Sequence, residues 1–214
     1  MKMCGRYELI STYRDLPSAI KKNTPRNFKQ KYRPQSLIKP YDPVLVLKNE
    51  GQDTTSIMMW GFISQWAKNP FDKNIPKPFN ARSETVAEKK LFKNSWKYKR
   101  CLIPATAFFE KDYRISRNDR KLFWLGGIWN KWISSDGSEI ESCCILTTSP
   151  NKLIEPIHNR CPIIIPNSII DYWLDSNLDL NQIKTLQSIL LPWDSKNWSA
   201  EKIKKKQTLQ LNLF

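Results

Sequence analysis

Five short runs rich in β-branched and aromatic residues do most to restrict how this chain folds: 43–49 (PVLVLKN), 55–63 (TSIMMWGFI), 100–110 (RCLIPATAFFE), 121–133 (KLFWLGGIWNKWI) and 141–148 (ESCCILTT). The first two are separated by the polar stretch NEGQD and read as a hairpin. The last three are joined by a charged loop and an SDGSE turn. Strands close in sequence and linked by such turns predict a mostly antiparallel sheet. Pro70, Pro76 and Pro78 mark an extended loop ahead of FNARSETVAEKKLFKNSW. Within that stretch a helix is expected from Ser83 to about Trp96, with Thr85 and Glu88 at capping-box spacing and Val86, Leu91 and Trp96 inward. The asparagine and arginine just before it would then lie near its positive end. Further helical patterns fall at about 168–175 and 180–190, so the fold class is α+β. One domain over 1–200 and a basic tail over 201–214 are expected, without internal repeats.

The 214 residues suffice for one well-buried core. No apolar run approaches the roughly 20 residues that span a bilayer, and the start MKMCGRYELI has no apolar segment of the secretory kind. A cytoplasmic, nucleoid-associated monomer is expected. Five scattered cysteines, an odd number, argue for reduced thiols. With no CxxC pair and His158 the only histidine, no metal and no cofactor is expected. Lysine plus arginine outnumber aspartate plus glutamate by 35 to 20, and the resulting +15 makes a polyanion the natural partner. Nine tryptophans favour single strands, whose exposed bases stack on aromatic planes at about 1–3 kcal/mol each.

Four segments stand in order along the chain: CGRY at 4–7, WGFISQW at 60–66, NARSET at 80–85 with CLIPATAFFE at 101–110, and HNRCP at 158–162. Together, over roughly residues 4–175, they resemble the SOS response-associated peptidase (SRAP) family of abasic-site sensors. The resemblance implies a bifurcated, mostly antiparallel sheet closing into a pseudo-barrel with helices around it. It also implies that Cys4, Asn80, Glu110 and His158 are the catalytic residues and that DNA containing abasic sites in single strands is the partner.

Each residue is also suited to such a role on its own chemistry. An N-terminal cysteine holds an amine and a thiol two carbons apart, so the amine can condense with an aldehyde and the thiol can close the imine into a thiazolidine. The α-amine, with a pKa near about 8, is substantially neutral at physiological pH, and a nearby cation such as Arg6 is expected to favour the thiolate. Glu110 ends an apolar strand and suits a proton donor, while His158 suits a proton shuttle. Asn80 both donates and accepts, and can orient the amine or the sugar oxygen. Arg6, Arg82 and Arg160 are expected to grip flanking phosphates. By the resemblance, Trp60 and Trp66 lie beside the DNA path, at least one of them being core, and Pro34 serves as a wedge. Taken singly, most of these residues would read as structural; their joint order carries the assignment.

Three further features bear on function. Met1 and Lys2 precede Met3-Cys4, and Lys2 blocks simple aminopeptidase trimming to Cys4, so translation starts at Met3 or the protein removes its own leader. Cys161 stands where the family commonly has methionine, a conservative change at a buried site. The terminal QLNLF resembles the bacterial sliding-clamp-binding pentapeptide, with Gln210, Leu211, Leu213 and Phe214 as anchors behind a lysine cluster at 202–206. The alternatives to covalent capture are a non-covalent reader of single-stranded or modified DNA, and a general thiol peptidase using Cys4 and His158.

Overall fold

The structure, a computed structural model, describes residues 4–203 apart from 23, 25, 26, 51 and 189. The strands are β1 (Arg6–Leu9), β2 (Gln35–Ile38), β3 (Pro43–Glu50), β4 (Gln52–Trp60), β5 (Asn80–Arg82), β6 (Arg100–Ala105), β7 (Ala107–Glu110), β8 (Tyr113–Arg117), β9 (Phe123–Ile133), β10 (Glu139–Thr148), β11 (Cys161–Pro162), β12 (Ile164–Ile165) and β13 (Trp198–Lys202). Short helices surround them: α1 (Ser18–Lys22), α2 (Phe28–Lys31), α3 (Lys93–Tyr98), α4 (Ile170–Leu174) and α5 (Leu180–Ser188). None of the described helices is long and apolar enough to cross a membrane.

The expected hairpin is β3–β4, paired antiparallel from Pro43↔Met59 to Glu50↔Gln52. Strand β3 also pairs with β6, β6 with β9, and β9 with β10. A short parallel pairing of β10 with β4, at Ser142↔Met59 and Cys143↔Trp60, closes the ring into a five-stranded barrel. Closure brings backbones close at Gly127, where a Cβ would stand 2.8 Å from the Cys144 carbonyl oxygen and 3.1 Å from Cys101 Sγ. Gly127 is therefore a packing requirement, with the buried Cys101 of β6 and Cys144 of β10 on either side of it.

Lys48 is 3% exposed and ion-paired with Glu50 and Glu141, its ammonium 4.4 Å from the centre of the Trp129 ring. Lys131 joins this network through Glu50 at 3.6 Å and also pairs with Glu139 at 3.0 Å. Two carboxylates and an aromatic face together compensate a cation that would otherwise be costly to bury.

The second sheet has the order β13-β8-β7-β1-β2. It is grafted on the barrel by one continuous segment, since β6 and β7 are separated only by Thr106. Thr106 accepts the Ile10 N–H on Oγ1 at 3.1 Å, while its own N–H bonds the Glu8 carbonyl at 2.8 Å, so the chain can leave one sheet and enter the other. This is the bifurcation expected of the family. Strand β13 pairs with β8 through Lys202, and the Ile203 N–H bonds the Asp112 carbonyl, so the boundary expected at 200 falls inside a strand.

The helix expected over Ser83–Trp96 is absent. Its backbone forms separate turns, such as Thr85 N–H to Arg82 O and Phe92 N–H to Lys89 O, and only α3 is helical. The Ser83 N–H is already bonded to Thr147 O on β10. The solvent-facing Glu88, Lys89 and Lys90 interrupt any continuous apolar face that would hold a long helix. Asn80 and Arg82 accordingly belong to a strand.

Arg100 anchors the helices to the barrel. Its buried guanidinium donates to the carbonyls of Trp96 and Lys97 at the end of α3, of Trp173 in α4, and of Asp175 just beyond α4. Arg100→Met is expected to leave these carbonyls unpaired and to lower the unfolding free energy by about 3 kcal/mol. The check is urea unfolding, where the midpoint should fall at an unchanged m-value.

Candidate functional site

Strand register builds the centre of the site. Strands β1 and β7 run antiparallel with Arg6↔Phe109, Tyr7↔Phe108 and Glu8↔Ala107, which brings the residues before β1 to the end of β7. The Cys4 N–H donates to Glu110 Oε2 at 2.9 Å, across 106 positions of sequence. Cys4 takes a left-handed backbone conformation with φ 48°, uncommon for a residue with a side chain and of the kind that collects at functional sites. Both residues are buried.

His158 arrives on a different segment. After β10, Asn151 Oδ1 accepts the Ile154 N–H, and the Ile157 and His158 N–H groups both bond Ile154 O. The resulting turn sets His158 Nε2 3.9 Å from Glu110 Oε1. On the other side of the ring, Nδ1 accepts the Arg160 N–H at 3.1 Å. Cys4, Glu110 and His158 therefore form a chain of neighbours with the carboxylate in the middle.

Asn80 enters through β5, which pairs in parallel with β10 at Ile145↔Asn80. The preceding Phe79 carbonyl accepts both Trp60 Nε1–H at 2.9 Å and Ile145 N–H at 3.0 Å, and the Phe79 ring packs beside Gly5, 3.9 Å from where its Cβ would be. Trp60 is fully buried and edge-on to Tyr7, with 5.3 Å between ring centres. It therefore does not face DNA as expected of a residue beside the path. It packs between Tyr7 and Phe79, where its indole holds the start of β5 against β1. Trp66 is the exposed member of the pair, at 65%.

The arginines separate by environment. Arg82 is exposed and, two residues along β5 from Asn80, shares its face of the strand. Arg6 is half-buried; its guanidinium donates to Lys111 O at 2.6 Å and lies 5.8 Å from the Phe109 ring centre. Arg160 is held by Glu84 in a two-pronged ion pair at 2.5 and 2.8 Å, and also donates to Thr147 O. Hydrogen bonding from Arg160, with its charge adding to it, holds the Glu84 carboxyl below its usual range. Pro34 is exposed just before β2. Gln210, Leu211, Leu213, Phe214 and the leader residues 1–3 lie outside the described residues.

The expected thiolate is not what the surroundings favour. Burial, followed by the nearby Glu110 and Cys161, pushes the Cys4 thiol well above its ordinary pKa, and the Arg6 guanidinium is engaged elsewhere. Sequence reasoning also missed Glu84, Thr147 and Asn151, which act only through contacts with distant residues. It missed Tyr41 and Phe71 as well, aromatic side chains 56% and 77% exposed. Tyr41 lines a cavity of about 450 Å³ with Pro76, Pro78 and Lys73, at the end of the loop leading into β5. Among the described residues, no cluster of histidine, cysteine, aspartate or glutamate is arranged to hold a metal ion.

The fold and site define an α+β protein whose closed barrel carries a grafted sheet and a buried Cys–Glu–His constellation at their junction. The sequence profile described as SOS response associated peptidase (SRAP) matches residues 3–207. The abasic site processing protein YoqW of Bacillus subtilis is 33% identical, over 94% of this chain and 92% of its own. The abasic site processing protein YedK of Escherichia coli is 25% identical, over 80% and 79%. A crystal structure of a protein from Bacteroides thetaiotaomicron superposes with a TM-score of 0.80 at 23% identity, covering 96% of this chain and 94% of that one. The chain belongs to the SOS response-associated peptidase family.

With the thiol pKa raised, little Cys4 thiolate is present near neutrality. Iodoacetamide at pH 8 is expected to leave Cys4 unmodified in the native protein while alkylating all five cysteines after denaturation. Peptide mass spectrometry reads both states, and rapid native labelling at Cys4 would contradict the burial.

Proposed function

We propose that this protein senses abasic sites in single-stranded DNA and bonds to them covalently through Cys4 once that residue is N-terminal. The observation that carries the reading is the hydrogen bond from the Cys4 nitrogen to Glu110, with His158 on the other oxygen of the same carboxylate. The names of relatives in the same family support the class of lesion.

In this reading the Cys4 amine adds to the aldehyde carbon of the ring-opened sugar, and the carbinolamine loses water to give an imine. The thiol then adds across C=N, its proton passing to nitrogen, and closes the five-membered thiazolidine. Glu110 and His158 deliver and remove the protons of the addition and dehydration steps, and Asn80 orients the amine or the sugar oxygen. The first bond is made by the amine, so a protonated thiol is no obstacle at that stage. Arg6 and Arg82 contact phosphates on either side of the lesion. Arg160 adds its charge to the same rim through the Glu84 pair, and Trp66 offers a plane to flanking bases with Pro34 as a wedge.

Exposure of Cys4 requires loss of Met1–Met3, or translation from Met3 followed by trimming. In self-cleavage, the Cys4 thiol would attack the Met3 carbonyl carbon, the Cys4 nitrogen would leave with a proton supplied through Glu110, and water would hydrolyse the thioester. The adduct then shields the lesion during replication, and the terminal Gln210–Phe214 brings the protein to the sliding clamp. Deleting 210–214 is expected to abolish clamp binding in a pull-down while leaving cross-linking to free DNA unchanged.

Intact-mass spectrometry tests the central claim. The protein alone should have lost three residues, and it should gain the full mass of a single-stranded oligonucleotide with one abasic site. Cys4→Ala should gain nothing. Retention of DNA that denaturation removes would instead favour a non-covalent reader, and turnover of unrelated peptides a general thiol peptidase.

A further inference from the structure

Arg160 connects two parts of the site that sequence keeps far apart. Its backbone N–H donates to His158 Nδ1 at 3.1 Å, while its guanidinium is held by both carboxylate oxygens of Glu84 and by Thr147 O at 2.5 Å. Thr147 O also accepts the Ser83 N–H at 2.9 Å, so β10, the chain just after β5 and the His158 loop meet at one carbonyl. Because Nδ1 accepts a hydrogen bond, the neutral imidazole carries its proton on Nε2, the nitrogen that faces Glu110 at 3.9 Å. The carboxylate of Glu84 has little other reason to stand here: a negative charge at the rim of a polyanion site works against binding.

We infer that Glu84 is a positioning residue, which through Arg160 fixes the tautomer and orientation of His158. This rests on the cross-linking role proposed for His158. The pair is bidentate and the Arg160 side chain is only 18% exposed, conditions under which an ion pair holds one geometry. Removing the charge at Glu84 leaves the guanidinium with Thr147 alone, and the Arg160 N–H is then less firmly fixed against Nδ1. His158 samples both tautomers and loses its register with Glu110.

Glu84→Gln tests this in the full chain without an affinity tag, because His158 is the only histidine and its ring nitrogens give the only imidazole signals. Nitrogen-15 correlation spectra of the wild type are expected to show the Nε2–H tautomer, and those of Glu84→Gln a mixture. The first-order rate of cross-linking at saturating abasic single strand is expected to fall about tenfold. Affinity for a strand carrying tetrahydrofuran in place of the abasic sugar, which has no aldehyde, is expected not to fall, so that the loss of rate is not a loss of binding. The inference is overturned if Glu84→Gln keeps both tautomer and rate. It is equally overturned if the variant only binds DNA more tightly, with a salt slope steeper by about one, because Glu84 would then merely compete with phosphate for Arg160. Should the wild type form no adduct at all, the cross-linking role falls, and the imidazole spectra alone decide whether Glu84 sets the tautomer.

Discussion

The antiparallel pairing of β1 with β7 is the constraint on which the rest depends. Strand β7 is the extension of a barrel strand, so whatever lies opposite it inherits the rigidity of the closed ring. Three residue pairs fix the register, and a slip by one would turn Tyr7 from the core toward solvent and carry Cys4 away from Glu110. The local backbone strain at Cys4 persists because this pairing and the Glu110 hydrogen bond hold it from both sides.

Few of the charges around the buried site are free. The +15 of the chain draws a polyanion from a distance. Close to Cys4, however, the arginines are already committed: Arg6 to Lys111 O and Arg160 to Glu84. Charge serves encounter and architecture there, and the dry interior raises the thiol pKa in spite of the cations nearby. A first bond made by an amine does not require a thiolate in such an interior. The same economy of charge appears at Lys48, where ion pairs and an aromatic face occupy a position that apolar packing could have filled.

Much of the fold was legible because half-buried strands write their pattern into the sequence. The β3–β4 hairpin, β9 and β10 are long enough to show it. Strands β5, β11 and β12 have two or three residues each and no pattern to read; they exist only because β10 and β9 offer them backbone partners. The helix expected over Ser83–Trp96 failed because Glu88, Lys89 and Lys90 face solvent and leave it no continuous apolar stripe to pack. Among the site residues, chemistry marked Cys4, Glu110 and His158 as reactive types, but Trp60 carries the same indole whether it faces DNA or the core, and only packing assigned it inward.

By itself the sequence determined the α+β class, the strongly positive charge, and the presence of reactive side chains at Cys4, Glu110 and His158, because these follow from composition, periodicity and functional groups. Tertiary structure decided which of them meet. Cys4, Glu110 and His158 become neighbours only through strand register and a turn pinned by Asn151, and Glu84 and Arg160 become partners only because β5 and β10 lie side by side. Contacts across 76 to 106 positions are set by the pairing of strands distant in sequence, which no local pattern of residues encodes.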